Sequence, residues 1–220
     1  MNILEKITER KKYEVSKLKK KNSYSFLEKS SYFNVPSKNL AKRILNNKIS
    51  IIAEHKRKSP SKSEINFFSK TEDVASGYEK NGAVGISILT DEYFFGGSNN
   101  DLKIVKEICN IPVLRKDFIV DEYQIVESKS IGADTILLIA AILSDKQILK
   151  FSKLAKRLGL GVLTEIHSLD DLHKCDLTYI DIIGVNNRNL KTFKVDLKYS
   201  IEVYNKIPNK VVKISESGIE

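Results

Sequence analysis

Seven short apolar runs recur through the chain from residue 50 onward, and they constrain its fold more than any other feature. They are Ser50-Ile51-Ile52-Ala53, Val84-Gly85-Ile86-Ser87-Ile88-Leu89, Ile111-Pro112-Val113-Leu114, Thr135-Ile136-Leu137-Leu138, Gly161-Val162-Leu163-Thr164, Ile182-Ile183-Gly184-Val185 and Val211-Val212-Lys213-Ile214. Their starts are about 27 residues apart on average, the length of one strand-plus-helix unit. Each run is apolar at consecutive positions rather than alternating, as expected of strands covered on both faces in a parallel sheet. The stretches between them read as helices: 121–131, 144–158 and 196–204 each carry an apolar stripe, and Ser144 and Asp145 suit the start of the second. Gly82, Gly132 and Gly159 stand where a helix should stop before the next strand. Seven such units without a phosphate-loop glycine fingerprint predict a (β/α)8 TIM barrel, class α/β, rather than an open doubly wound sheet.

The first 48 residues read differently, as an N-terminal helical extension ahead of a barrel domain over 49–220. Ile3, Leu4, Ile7, Lys11, Glu14, Val15 and Leu18 lie at helical spacing over 2–21, and a short helix is expected around Asn39–Leu45. This end is basic: residues 1–62 hold 17 Lys and Arg against 5 Asp and Glu, within a net charge of +9 for the chain. Lys outnumbers Arg 31 to 6, so the residue that grips phosphates bidentately is scarce, and a solvated lysine face is favoured over nucleic-acid binding. The longest unbroken apolar run, Ile136 to Leu143, has eight residues, well short of the roughly 20 that span a bilayer. Two cysteines and no CxxC or Cys/His cluster predict neither a disulfide framework nor a metal site. With no secretory signal in view, the expectation is a cytoplasmic protein.

In a barrel of this kind the chemistry sits at the C-terminal ends of the strands. Glu54, His55, Lys56, Arg57, Lys58 and Ser59 follow the first run, and Thr90, Asp91 and Phe94-Phe95-Gly96-Gly97-Ser98 follow the second. Arg115, Lys116 and Asp117 follow the third; Glu165 and His167 the fifth; Asn186, Asn187, Arg188 and Asn189 the sixth; Glu216, Ser217 and Gly218 the seventh. Glu54, Lys56, Lys116 and Glu165 converging on one mouth can shift one another's pKa and supply a general acid and a general base. Lys56, Arg188 and the Ser59 and Gly218 loops offer cations and donors to an anionic substrate.

The motifs resemble the indole-3-glycerol phosphate synthase family. Ile51-Ile52-Ala53-Glu54-His55-Lys56-Arg57-Lys58-Ser59-Pro60-Ser61 resembles its first-strand signature, and Leu89-Thr90-Asp91 with Phe94-Phe95-Gly96-Gly97-Ser98 its second-strand loop. Leu114-Arg115-Lys116-Asp117-Phe118-Ile119 is similar to the third, and Leu163-Thr164-Glu165-Ile166-His167 to the fifth. Gly184-Val185-Asn186-Asn187-Arg188-Asn189-Leu190 and Ser215-Glu216-Ser217-Gly218-Ile219 are similar to the sixth and seventh. The resemblance implies conversion of 1-(2-carboxyphenylamino)-1-deoxyribulose 5-phosphate to indole-3-glycerol phosphate, carbon dioxide and water, without metal or organic cofactor. By the same resemblance Lys116 is the general acid, Lys56 holds the substrate carboxylate, and Glu165 is the acid/base of the dehydration. Glu54 and Asn186 fix Lys56 and the sugar hydroxyls. Glu216 and Ser217 are further substrate contacts, Phe95 is an aromatic wall, and Ser59, Arg188 and Gly218 form part of a phosphate clamp. The implied partner is a phosphorylated small molecule, with no nucleic acid and no membrane; a monomer is expected, open to association with other tryptophan-pathway enzymes.

Two departures stand out. His55 falls where the family has an apolar residue, and strand alternation turns it toward the helices, whereas His167 and His173 read as surface or loop residues. The family's eighth strand and its glycine-rich phosphate loop have no counterpart before Glu220, so a barrel of seven strands, with a gap between the first and seventh, low stability and weak activity, is expected. The alternatives are an inactive truncated barrel or non-catalytic phosphate-binding scaffold, and a different phosphate-binding barrel enzyme such as the pathway's isomerase.

Overall fold

The computed structural model describes residues 2–60, 62–188 and 194–219. The chain runs α1 (Ile3–Lys21), α2 (Tyr24–Glu28), α3 (Leu40–Leu45), β1 (Ile52–His55), α4 (Thr71–Lys80), β2 (Gly85–Leu89), α5 (Glu92–Phe95), α6 (Asn99–Ile108), β3 (Val113–Lys116), α7 (Glu122–Ser130), β4 (Thr135–Ile139), α8 (Asp145–Arg157), β5 (Gly161–Ile166), α9 (Leu169–His173), β6 (Ile182–Asn186), α10 (Leu197–Lys206) and β7 (Val212–Glu216). Among the described residues all seven strands pair in parallel, in the order β1-β2-β3-β4-β5-β6-β7. β1 and β7 are the two edges, as the seven-strand reading requires.

The sheet curls. Ile52, Leu114, Leu137, Ile139, Leu163, Ile182, Val212 and Ile214, from six strands, meet in one inner cluster. A flat sheet could not bring β1 and β3 side chains against those of β7. Leu40 of α3 joins that cluster from the N-terminal end and sits against Gly85. Outside the sheet a larger core forms where Ile136, Leu138, Val162, Ile183 and Val185 face Ile125, Ile148, Phe151 and Val203 of the helices. The central strands β4, β5 and β6 are thus apolar on both faces, which is why their runs in the sequence do not alternate; the edge strand β7 carries Lys213 and Ser215 on the face opposite Val212 and Ile214.

Local chemistry fixes the helix starts. Asn2 and Ser144 form capping boxes with Glu5 and Gln147, and Asp91, Ser98, Asp121, Ser168 and Asp196 each cap the helix that follows. Helix α1 lies against the barrel: Val15 and Leu27 pack with Tyr123 and Val126 of α7, and Leu18 lies alongside.

Four strands end two residues later than the apolar runs suggest. β1 extends to His55, β3 to Lys116, β5 to Ile166 and β7 to Glu216, so Glu54, Lys116, Glu165 and Glu216 are strand residues and not loop residues. Backbone pairing continues past the last apolar side chain, because a carboxylate or ammonium at the mouth needs no dry neighbours. Glu54 pairs in register with Ser87, Leu89 with Lys116, and Asn186 with Glu216.

Candidate active site

Strand alternation delivers the charges. On β1 Glu54 points into the barrel mouth and His55 outward, where it is 3% exposed and its Nε2 lies 3.5 Å from Thr71 Oγ1 of α4. The outward reading of His55 therefore holds. On β3 the inward residue is Lys116. Its neighbour Arg115 is buried on the outer side, bonded to Glu127 at 2.7 Å and Asp117 at 3.1 Å.

At the mouth the inward groups form one connected set. Glu54 Oε1 accepts from Lys56 Nζ at 2.6 Å, and its Oε2 lies 3.0 Å from Lys116 Nζ. Lys116 Nζ also donates to Glu216 Oε2 at 3.1 Å. Asn186 Nδ2 donates to Glu165 Oε1 at 3.2 Å, and Asn186 Oδ1 accepts from the Arg188 backbone N–H at 2.9 Å. Burial alone would push the Glu54 carboxyl up, but Lys116 and Lys56 outweigh it and hold the pKa at about 2. Burial pulls the Lys116 ammonium down; Glu54, Glu216 and Glu165 override it and raise the pKa well above the usual lysine value. Glu216 is shifted up, first by burial, with Glu165 adding to the effect and Lys116 opposing it. Its second oxygen, Oε1, is buried without a hydrogen-bond partner. That oxygen rests where β6 has no side chain: a Cβ on Gly184 would overlap it.

A cavity of about 340 Å³ opens onto this set. Nine of the residues singled out in the sequence line it: Glu54, Lys56, Ser59, Phe95, Lys116, Glu165, Asn186, Arg188 and Ser217. Glu216 stands just behind, on Lys116. Gly218 is not brought to the wall; it adopts φ +64° and faces Val195. Ser61, Asn189 and Leu190, which carry part of the motifs, lie outside the described residues. Ile3, Leu4 and Ile7 of α1 close the cavity opposite Leu137 and Ile139, so the apolar stripe of the extension does reach the mouth.

Three features of the site were not assigned from the sequence. Lys11 of α1, 6% exposed, lies 2.7 Å from Asp91 and 3.0 Å from Asp117. Its place on the apolar stripe, four residues from both Ile7 and Val15, marks the inward face, but nothing in the sequence says which carboxylates it meets. Arg57 grips Asp101 with two bonds of 2.7 and 2.8 Å and reaches the Gly96 carbonyl at 3.2 Å, tying the loop after β1 to the loop after β2. His167 is the third: it lies in the loop just after β5, as the surface-or-loop reading allows, but its ring is turned inward. Its Nε2 lies 3.3 Å from Oε1 of Glu165, two residues back on β5. His173 is exposed on α9, as expected.

An incomplete parallel barrel with lysines and carboxylates meeting at the C-terminal strand ends is the architecture of a (β/α)-barrel enzyme acting on an anionic substrate. A family model described as indole-3-glycerol phosphate synthase matches residues 4–220, and the chain belongs to that family. It is 42% identical to the indole-3-glycerol phosphate synthase of Chloroherpeton thalassium, over all of this chain and 86% of that protein. It is 44% identical to the enzyme of that name from Caldanaerobacter subterraneus, over 99% of this chain and 84% of the relative. For the one from Prochlorococcus marinus strain MIT 9515 the values are 44%, 99% and 77%. Among solved structures the chain is similar in fold to a thiamine phosphate pyrophosphorylase from Pyrococcus furiosus: TM-score 0.56, 12% identity, 83% of this chain and 79% of the other. The function is thus that of an indole-3-glycerol phosphate synthase, a carboxy-lyase of tryptophan biosynthesis. The isomerase and the phosphate-binding scaffold are set aside.

Proposed function

We propose that the eleven residues singled out above divide the reaction among themselves as follows. Lys116 is the general acid of ring closure. As the aromatic carbon attacks the ketone, charge builds on the ketone oxygen. An ammonium held protonated by Glu54 and Glu216 is ready to donate to an oxygen that grows far more basic in the transition state. Lys56, anchored by Glu54 at 2.6 Å, holds the substrate carboxylate until it leaves as carbon dioxide. Glu165, oriented by Asn186, moves the protons of the dehydration that restores aromaticity.

Glu216 and Ser217 contact the sugar, and Phe95, tilted against Phe118 with ring centroids 5.8 Å apart, forms a wall for the aromatic ring. Ser59 and Arg188, with the backbone at Gly218, hold the phosphate. The observation that carries this reading is the Lys56–Glu54–Lys116–Glu216 chain facing Glu165 across one cavity. No helix among the described residues is long and apolar enough to cross a membrane. A cytoplasmic monomer without metal or organic cofactor, open to association with other enzymes of the pathway, completes the proposal.

The two lysines are separable by experiment. Lys116→Ala is expected to abolish turnover and leave affinity for a substrate analogue within about tenfold, because its contact strengthens in the transition state. Lys56→Ala is expected to lower affinity and rate together. Indole-3-glycerol phosphate fluorescence and analogue titration read the two effects. Equal loss of analogue affinity in both variants refutes the assignment.

A further inference from the structure

We propose that His167 is a positioning residue that relays solvent protons to Glu165, standing between the reaction cavity and a second, polar cavity outside it. The inference rests on the reading of Glu165 as the proton-moving carboxylate.

The need for a relay follows from the balance of the reaction. The ketone oxygen leaves as water and so takes up two protons. One returns to the site from the sugar C1 carbon when the indole double bond forms. The carboxylate leaves as neutral carbon dioxide and supplies none. Each turnover therefore consumes one proton from solvent: Lys116 regains from C1 the proton it gave to the ketone oxygen, and Glu165, having protonated the departing hydroxyl, is the group that must be recharged every cycle.

The geometry offers a route. Glu165 lines the inner cavity of about 340 Å³. His167 and Asp171 line the outer one, about 890 Å³, bounded by α1, α9 and α10. The imidazole spans the two: Nε2 is 3.3 Å from Glu165 Oε1, and Nδ1 is 4.0 Å from Asp171 Oδ2. Both ring nitrogens are buried without an aligned hydrogen bond, an unusual state for a buried histidine and the state of a group awaiting its partners. Asp171 is itself fixed: Oδ2 accepts the His167 backbone N–H at 3.0 Å and Oδ1 lies 3.1 Å from Lys174 Nζ. Burial lowers the His167 pKa against the pull of Asp171 and Glu216, so the ring is neutral at neutral pH and has one lone pair and one N–H. The other charged groups facing that space are Arg188, Asp196 at the start of α10 and, from α1, Glu5, Glu9 and Lys12.

The step is a double transfer. A solvent proton, arriving as hydronium or on a protonated buffer through the outer cavity and drawn by the Asp171 carboxylate, binds Nδ1, and the proton on Nε2 passes to the Glu165 carboxylate. The ring ends neutral in its other tautomer and is reset by rotation. A small shift closes the remaining distances, as is common on substrate binding.

The test compares His167→Ala, His167→Asn and Glu165→Gln in the 220-residue protein, with kcat and KM followed from about pH 6 to about pH 9. In His167→Ala, kcat is expected to fall about tenfold at the alkaline end and much less at the acid end, with KM within about twofold, because proton supply and not binding is impaired. Added imidazole should restore kcat in His167→Ala. His167→Asn keeps a polar group of similar volume and serves if the alanine variant does not fold; it should show the same alkaline loss. A uniform loss at every pH without imidazole rescue, or no loss at all, overturns the relay. Full turnover in Glu165→Gln instead overturns the reading of Glu165 itself.

Discussion

Lys11 Nζ of the N-terminal helix lies 3.0 Å from Asp117 Oδ1, and Asp117 is the residue next to the active-site lysine Lys116. The extension is therefore joined to β3 by a buried charge at the position where the chemistry is held. Asp91, capping α5, shares the same ammonium at 2.7 Å, so one lysine gathers α1, the loop after β2 and the end of β3.

Breaking that contact should be costly. Lys11→Met leaves two buried carboxylates without their shared cation, and a loss of about 3–5 kcal/mol is expected. Urea unfolding measures it. At temperatures where the variant is folded, KM should rise because Ile3, Leu4 and Ile7 no longer close the cavity. Deleting residues 1–21 should raise KM in the same direction, and an unchanged KM in both would show that the helix does not serve the site.

Gly184→Ala is a finer probe. The new methyl would occupy the space of Glu216 Oε1 and push that carboxylate off Lys116. The expected stability cost is about 1–3 kcal/mol, typical of overpacking. The expected loss of kcat is larger than the shift in melting temperature suggests, since Lys116, the proposed general acid, loses one of its two close counter-ions. A variant with lowered stability and full kcat would count against Glu216 as a partner of Lys116.

Acid should unfold the protein through specific carboxylates. Glu54 and Asp117 are both held at about 2: burial opposes this in each, Lys116 and Lys56 outweigh it at Glu54, and Lys11 and Arg115 outweigh it at Asp117. Both folded pKa values lie below the unfolded ones, so their stabilisation is fully present above about pH 4.5 and is lost as pH falls toward 2. Denaturation midpoints measured down this range should fall steadily. In Asp117→Asn the slope should be smaller, because one of the two titrating sites is gone.

The basic N-terminal part should not bind nucleic acid tightly. Two of its cations, Lys11 and Arg57, are committed to internal carboxylates, and Lys56 faces the reaction cavity. Fluorescence anisotropy at physiological salt should show weak binding that is independent of sequence and disappears steeply as salt rises. Saturable, tight binding would overturn this.

Much of the architecture is legible in the sequence. Seven consecutive-apolar runs, three of them preceded by a helix-ending glycine, dictate parallel strands covered on both faces, and β2 and β4 to β7 begin within one residue of the runs that announce them. The side chains after those runs dictate which chemistry gathers at the mouth, because the C-terminal ends of parallel strands share one rim. Tertiary structure alone decided the rest. It gave Lys11 its two carboxylate partners, seated Glu216 in the space left by Gly184, and brought the His167 ring beside Glu165. The physical reason is that hydrophobic periodicity records burial along one element. Pairing between charges 100 and 106 residues apart, as at Lys116–Glu216 (3.1 Å) and Lys11–Asp117 (3.0 Å), depends on the curl of the sheet and leaves no local trace.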